Sequence, residues 1–338
     1  MTRYLLIGYY GFRNFGDDLF NEALVDLIQR RFPGSNITIA CSSSIISKGV
    51  SFVSPRWGRF WRSETVPAAI FRNVVLAYLV TRSDVVIIGG GSLFQSARPF
   101  DRLPLLIRFA KALGRKVLAI GVSVGPPKPG EELRVAKLVR GLDRVGVRDG
   151  ASWDFCVRNS VTSRVFTHDL AMGYISPRNH RKGRTLGVAL HGDRYSGQFK
   201  SAILRLVGQY DDIVLFSLDA GSSEWVHNCI VDIASFHSAA KCSVVEYMGD
   251  TGEVLNGLAE CSLVATSKLH GAIASWALGV PFLLDEYHPK CSAFLSEINW
   301  SNDFEAVPAL LYEKWEDEVS RPAPDVVRLV QSEFLGVK

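Results

Sequence analysis

Short apolar runs rich in β-branched residues alternate with amphipathic segments along the whole chain. Near-continuous apolar runs predict strands buried on both faces, and the segments between them predict helices that cover those faces. The first set of predicted strands is Tyr4–Tyr9, Ile37–Cys41, Val85–Ile88, Val117–Ile120 and Val145–Val147. The second set is Leu186–Leu190, Ile213–Leu218, Ser243–Tyr247, Leu263–Ala265 and Phe282–Leu284. This alternation predicts an α/β fold with Rossmann-like, doubly wound parallel sheets.

A polar and basic stretch interrupts the alternation in the middle of the chain. It runs SPRNHRKGR from Ser176, a composition typical of a linker between domains. The 338 residues are enough for two domains. We predict an N-terminal α/β domain over 1–177, a linker over 178–184 and a C-terminal α/β domain over 185–338, whose last helix could return to the N-terminal domain. The two domains are expected to face each other across a cleft, with ligands outside the carboxyl ends of the strands.

Composition and charge exclude several classes of protein. A hydrophobic content of 47% argues against disorder, and a net charge of +4 does not indicate a nucleic-acid binder. The six cysteines include no C-x-x-C pair, so we expect reduced thiols rather than disulfides or a zinc site. No apolar signal segment follows the first residues, and the most apolar helical segment, Val74–Val80, is far shorter than the ~20 residues of a membrane span. We expect a cytoplasmic protein, either soluble or peripheral at the inner face of the membrane.

A glycine-rich loop follows the first predicted strand. Gly8–Asp18 reads GYYGFRNFGDD, and its glycines let the backbone approach a ligand closely. The spacing matches neither the dinucleotide fingerprint nor a Walker loop. A tight turn with a helix cap would explain Gly16 and one aspartate, Asp17 or its neighbour, but not the tyrosines, the arginine and the asparagine. We therefore assign Gly11, Asn14 and Gly16 to a substrate-binding loop.

Two further candidate segments follow strands of the first set. Gly90, Gly91 and Ser92 come directly after the strand Val85–Ile88, where small residues leave backbone N–H groups accessible to a substrate. Close packing of a strand on a helix is the alternative explanation for these glycines. Arg148 follows the strand Val145–Val147 and is suited to a carboxylate or phosphate. The alternative for this arginine is an ion pair with Asp143, Asp149 or Asp169.

The second set of strands contains a junction with a cation and a histidine. After the apolar run Leu263–Ala265 the chain reads TSKLHGAIASWALGVP, which places Lys268 and His270 between a strand and an Ala-rich helix. Unpaired N–H groups at such a junction favour anions, and an imidazole that titrates near neutrality can transfer a proton. A histidine there can equally be a helix cap or a packed residue.

Taken in order, these segments resemble the motifs of the polysaccharide pyruvyltransferase family. The resemblance covers about residues 4 to 295, and its first and last motifs are the diagnostic ones. The motifs are Gly8–Asp18, Gly89–Leu93, Gly121–Pro126, Val147–Asp149, and Ser267–Gly271 with Ala277–Pro281. The segment Tyr287-x-Pro289-Lys290 is similar to the one that trails the histidine helix in that family.

The resemblance implies an enzyme that transfers the enolpyruvyl unit of phosphoenolpyruvate to a sugar of a cell-surface polysaccharide, or its precursor, as a cyclic ketal. It implies a fold like the two-domain glycosyltransferase type B arrangement, with Arg148 and Lys268 binding the donor and His270 transferring a proton. The family usually has arginine where this chain has Lys268, and lysine cannot make the planar bidentate contact of arginine. Asp17 is the catalytic candidate for orienting the acceptor hydroxyls or assisting their deprotonation. Phosphoenolpyruvate is a co-substrate, and we expect no metal or other cofactor.

Two weaker features and two rival functions complete the expectations. Arg194 could bind the donor or lie on a surface loop. The segment 48–72 interleaves five cations with five aromatic residues and could contact an anionic membrane or a lipid-linked acceptor, form a lid, or pack inward. A sugar-nucleotide-dependent glycosyltransferase of the same fold would need an acid on the ribose, for which Glu246 and Asp250 are the candidates. The second rival is a non-catalytic carbohydrate-binding relative.

Overall fold

A computed structural model describes most of the chain, and its residues form two compact units. The described residues are 1–41, 50–52, 58–63, 65–95, 97, 102–178, 183–192, 196–219, 223–237, 240–300, 302–304, 311, 315 and 326–334. The first unit comprises Met1–Phe12, Asp17–Leu170 and Asp325–Lys338. The second comprises Arg13–Gly16 and Ala171–Pro324.

The first unit is built on a parallel sheet of seven strands in the order β3-β2-β1-β4-β5-β6-β7. Its strands are β1 (Arg3–Ile7), β2 (Asn36–Ile39), β3 (Val50–Phe52), β4 (Val85–Gly89), β5 (Lys116–Val122), β6 (Arg144–Val147) and β7 (Arg164–Phe166). Its helices are α1 (Phe15–Arg31), α2 (Gly58–Arg62), α3 (Val66–Thr81), α4 (Arg102–Ala112), α5 (Glu132–Arg140), α6 (Gly150–Arg158) and the C-terminal α13 (Val326–Glu333). Residues 15 and 16 of α1 belong to the second unit.

The central strands of this sheet are buried on both faces, as their apolar sequences predict. Leu5 and Val86 pack on one face in a core that also contains Leu76 of α3 and Ile107 of α4. Because parallel strands all run the same way, the loops after β1, β4, β5 and β6 leave the sheet at its carboxyl edge. These are the loops that contain the candidate residues of this unit.

The second unit is built on a parallel sheet of five strands in the order β10-β9-β8-β11-β12. Its strands are β8 (Thr185–Ala189), β9 (Asp212–Ser217), β10 (Lys241–Glu246), β11 (Leu263–Thr266) and β12 (Phe282–Leu284). The helices of this unit are α7 (Leu170–Tyr174), whose first residue belongs to the first unit, α8 (Gly197–Val207), α9 (Ser223–Phe236), α10 (Thr251–Glu260), α11 (Leu269–Leu278) and α12 (Pro289–Glu297). The fully buried strand β11 leads directly into α11, nine of whose residues are buried.

Two parallel-sheet α/β units confirm the predicted fold class, whereas the limits of the units differ from those expected. Residues 13–16, which the sequence placed in the N-terminal domain, lie with the second unit because Phe15 packs there. Its N–H donates to the Leu218 carbonyl over 3.0 Å, and its ring lies edge-on to Tyr247. The C-terminal α13 belongs to the first unit, where Phe334 approaches Gly146. None of the described helices is long and apolar enough to cross a membrane.

Candidate active site

The central strands of the second sheet bring three polar residues to its carboxyl edge. β8 lies between β9 and β11. His191 follows β8, Asp219 follows β9 and Lys268 follows β11. Because loops from neighbouring parallel strands meet at this edge, residues distant in sequence become neighbours here.

Lys268 is held by the carboxylate of Asp219, which no motif in the sequence marks as a site residue. The Lys268 Nζ forms an ion pair with Asp219 Oδ2, and the two side chains are 13% and 25% exposed. His191 Nδ1 lies 3.7 Å from the same carboxylate oxygen. Partial burial strengthens the attraction between these charges relative to a fully exposed pair. The signal that could have identified Asp219 is its position directly after the predicted strand Ile213–Leu218.

Buried hydroxyl groups fix the backbone around this cluster. Thr266 Oγ1 donates to the Ala189 carbonyl over 2.8 Å and accepts from the Lys268 N–H over 2.9 Å. Ser267 Oγ accepts from the His191 N–H over 2.7 Å. Thr266 and Ser267 are fully buried, so these bonds tie the loop after β8 to the loop after β11 without competition from water. The small polar residues before Lys268 therefore have a structural role.

His270 is the second residue of α11, and it contacts the first diagnostic motif. A Cβ placed on Gly16 would overlap the His270 ring at Nδ1, Cγ and Cε1. Glycine is therefore the residue that lets the start of α1 approach this imidazole. Asn14 Oδ1 accepts from the Gly16 N–H over 3.1 Å, and the Asn14 backbone pairs with Asp219. The structure thus brings together four predicted site residues: Asn14, Gly16, Lys268 and His270.

The two aspartates at the start of α1 have different surroundings. Asp18 is 2% exposed and accepts from the Gly11 N–H over 2.7 Å, which stabilises the loop. Gly11 has a φ of 74°, in the left-handed region that favours glycine. Asp17 is only half-buried, and its Oδ1 lies 3.7 Å from the place of a Cβ on Gly91. Asp17 therefore lies beside the glycine-rich turn after β4, and its role toward a substrate stays a prediction.

The turn after β4 needs its glycines for its backbone conformation and for close packing, which is the alternative explanation that the sequence offers. Gly90 and Gly91 have φ values of 69° and 73°. A Cβ on Gly90 would press on the Phe20 ring at 3.1 Å, so this glycine also serves close packing against α1. Ser92 is exposed at the end of the turn. The substrate-binding role of this turn stays a prediction.

Arg148 forms an ion pair with Asp169, one of the three aspartates that the sequence offers as partners. Its guanidinium donates to Asp169 Oδ2 over 3.0 Å and to Ser123 Oγ over 3.0 Å. The Arg148 and Asp169 side chains are 9% and 6% exposed. A buried guanidinium held in this way is fixed in position, which suits either a structural role or the binding of an anion. Its role in binding a donor stays a prediction.

Several predicted residues add little to the site or lie outside the described residues. Arg194 lies outside them, as do residues 48, 49, 53–57 and 64 of the basic aromatic segment. Asp250 caps α10 by accepting from the Gly252 N–H over 2.9 Å, so its carboxylate already has a structural function. Within the described part of the chain, no cluster of three or more His, Cys, Asp or Glu residues could hold a metal ion.

Comparison with known proteins gives a family and a fold. The model of the family described as polysaccharide pyruvyl transferase matches residues 14–289. None of the curated protein sequences matches the chain. UDP-GlcNAc 2-epimerase from Neisseria meningitidis, solved with UDP-GlcNAc bound, has a similar structure, with a TM-score of 0.60, 11% identity and complete coverage of both chains.

Two further solved structures have the same fold. A putative UDP-N-acetylglucosamine 2-epimerase from Listeria monocytogenes has a TM-score of 0.62 and 12% identity, over 100% of this chain and 97% of that one. A glycosyltransferase from Rickettsia africae has a TM-score of 0.58 and 9% identity, over 98% of this chain and 91% of that one. At such identities the likeness shows a fold of the glycosyltransferase type B class and no shared activity.

Proposed function

Because the chain belongs to the polysaccharide pyruvyl transferase family, we propose that it transfers the pyruvyl unit of phosphoenolpyruvate to a sugar and closes a cyclic ketal. The acceptor is a sugar of a cell-surface polysaccharide or of its precursor. The observation that supports this most is the contact of Gly16, from the first diagnostic motif, with His270 in the last one. Two motifs from opposite ends of the chain thus meet beside the cation Lys268.

The donor has a carboxylate and a phosphate, and each needs a cation. We assign Lys268 and Arg148 to these two groups. An arginine presents a rigid fork to a phosphate, whereas a lysine is a point charge on a flexible stem. Lysine can serve here in place of the usual arginine because the ion pair with Asp219 keeps the ammonium group in one place. Asp219 is thus a positioning residue for Lys268.

The reaction needs proton transfers that an imidazole and a carboxylate can provide. A proton adds to C3 of phosphoenolpyruvate, and one sugar hydroxyl attacks C2 and loses its proton. The C2–O bond to phosphate then breaks, and a second hydroxyl of the same sugar attacks C2 and loses its proton. The products are hydrogen phosphate and a cyclic ketal whose C2 carries a methyl group and a carboxylate. Of the two protons that the hydroxyls lose, one balances the proton added at C3 and the other ends on phosphate. We assign the proton transfer at C3 to His270 and the orientation of the acceptor hydroxyls to Asp17.

A sugar-nucleotide-dependent glycosyltransferase is the rival function. The fold alone permits it, because UDP-GlcNAc is bound by the similar epimerase from Neisseria meningitidis. Of the two acids considered for a ribose contact, Asp250 is already used as a helix cap, which leaves Glu246 at the end of β10. We therefore favour phosphoenolpyruvate as the donor.

The test is replacement of the imidazole in His270→Ala, with His227→Ala on the exposed side of α9 as the matched control. Turnover is followed as acceptor-dependent release of phosphate from phosphoenolpyruvate, and the ketal product is identified by mass spectrometry. We expect His270→Ala to lose ~10²–10⁴-fold in turnover, the usual contribution of a general acid or base, and the control to lose none. A His270→Ala protein that melts normally and turns over at the wild-type rate would end the assignment.

A further inference from the structure

Helix α3 carries a line of exposed apolar side chains. Val66, Ile70, Val74 and Tyr78 are 72%, 59%, 63% and 60% exposed. Residues four apart lie on the same side of a helix, so these four form a stripe. The opposite side of α3 is buried in the core. The solvent-facing side of a surface helix normally carries polar residues, whereas that side of α3 carries apolar ones.

Helix α4 continues this apolar surface. Leu105, Phe109 and Leu113, the last just beyond the helix, are 43%, 38% and 40% exposed and again lie four residues apart. α3 leads into β4 and α4 leads into β5, which are neighbouring parallel strands. Right-handed connections therefore place both helices on the same face of the sheet. Buried residues of both helices belong to one core.

We call these seven side chains the α3–α4 surface: Val66, Ile70, Val74, Tyr78, Leu105, Phe109 and Leu113. Fifteen large apolar residues are exposed in the described part of the chain, so this surface holds nearly half of them. The others are scattered along the chain, which is normal for a soluble protein. A contiguous apolar patch, by contrast, marks a surface that another body covers.

The charges around the surface indicate what covers it. The sequences of α2, α3 and α4 contain six Arg or Lys residues and no Asp or Glu. Arg82, Arg102 and Arg108 are exposed. Arg82 lies four residues after Tyr78, and the other two lie three residues before and after Leu105, so helical spacing places them near the apolar residues. An apolar face with a basic rim fits the interface of a bilayer with anionic headgroups. A second copy docked symmetrically would instead bring two sets of these cations together, which is unfavourable.

We propose that the α3–α4 surface binds the surface of an anionic lipid bilayer, with the apolar stripe at the level of the acyl chains and the arginines at the headgroups. This surface differs from the segment 48–72 that the sequence pointed to, because all but Val66 and Ile70 of its apolar residues lie beyond that segment. The binding needs neither donor nor acceptor, so it is independent of the proposed function.

The experiment is co-sedimentation of the purified protein with vesicles of phosphatidylglycerol and phosphatidylcholine, and with vesicles of phosphatidylcholine alone. We expect binding to the anionic vesicles that weakens as salt is raised. The double variant Ile70→Gln, Val74→Gln should bind about tenfold more weakly or worse, because two exposed apolar side chains are lost. Leu133→Gln on α5, a residue that is 77% exposed, is the matched control and should bind like the wild type. Arg102→Gln with Arg108→Gln should lose the preference for anionic lipid.

Three results would overturn this proposal. One is the absence of binding to anionic vesicles at low salt. Another is equal binding by wild type and the Ile70→Gln, Val74→Gln variant, whose exposed positions should leave the melting temperature unchanged. The third is a molar mass by light scattering that corresponds to a dimer for the wild type and to a monomer for this variant. That result would show that a second copy covers the surface.

Discussion

The contact between Gly16 and His270 can be tested by adding one methyl group, in Gly16→Ala. The backbone φ at Gly16 is not in the left-handed region, so alanine adds no backbone strain there. Its Cβ would overlap three atoms of the His270 ring, the farthest of them, Cε1, at 2.6 Å. Ordinary contact begins near 3.4 Å, so the imidazole or the start of α1 must move by about 1 Å or more.

This displacement affects stability and turnover by different amounts. Overpacking a filled site costs about 1–3 kcal/mol, and alanine in a helix returns about 0.5–1 kcal/mol relative to glycine. The free energy of unfolding should therefore fall by roughly 1–2 kcal/mol. A reacting group misplaced by about 1 Å loses on the order of 10² in rate. Turnover of Gly16→Ala should fall by that factor if the His270 imidazole transfers the proton.

The assays are urea unfolding and phosphate release, measured on the same preparation. Gly197→Ala is the control, because Gly197 also lies at the start of a helix and a Cβ there meets nothing within 4 Å. A Gly16→Ala protein with the stability and turnover of this control would refute the contact. Lost stability with normal turnover would retain the contact and remove His270 from the chemistry.

Three further predictions concern individual charges and thiols. Asp219→Asn should weaken phosphoenolpyruvate binding and lower the free energy of unfolding by about 1–2 kcal/mol in urea, because Lys268 is left partly buried without its carboxylate. The Arg3 guanidinium lowers the pKa of Asp84 to about 2, so the stability from this pair is present above about pH 4 and is lost as the pH falls toward 2. The melting temperature of Asp84→Asn should therefore lie below that of the wild type at neutral pH and approach it only as the pH falls to about 2. Burial raises the pKa of the Cys261 thiol to about 12, so this thiol should react with a disulfide reagent at about pH 8 only after unfolding.

The strands of this fold could be predicted because most are buried on both faces. All ten predicted strands have a counterpart in the structure. The two strands missed, β3 and β7, have three residues each and lie at the edges of the first sheet. β12 is also a three-residue edge strand, but its sequence, FLL, is entirely apolar, whereas β3 (VSF) and β7 (RVF) each contain a polar residue and show no continuous apolar run. Pairing with a neighbour rather than their own composition makes β3 and β7 strands.

The site could be predicted only in part, because a sequence shows positions along the chain and not contacts across it. Lys268 and His270 were identified from their place after an apolar strand. The aspartate that holds Lys268 follows another strand, and no local signal linked the two residues. The position of Gly16 with the second unit was also hidden, since it depends on a hydrogen bond from Phe15 to a carbonyl after β9. The partner of Arg148 could not be predicted either. Three aspartates are near it in the sequence or the fold, and only the structure shows that Asp169 is buried against it.

The identity of the donor is tested most directly by calorimetric titration of the wild type and Lys268→Ala with phosphoenolpyruvate and with UDP-GlcNAc. We predict saturable binding of phosphoenolpyruvate by the wild type and no binding of UDP-GlcNAc. Lys268→Ala should bind phosphoenolpyruvate more weakly by about tenfold or more, since a charge-assisted contact is lost, while Lys268→Arg should retain binding. Saturable binding of UDP-GlcNAc together with none of phosphoenolpyruvate would contradict the account and favour the glycosyltransferase.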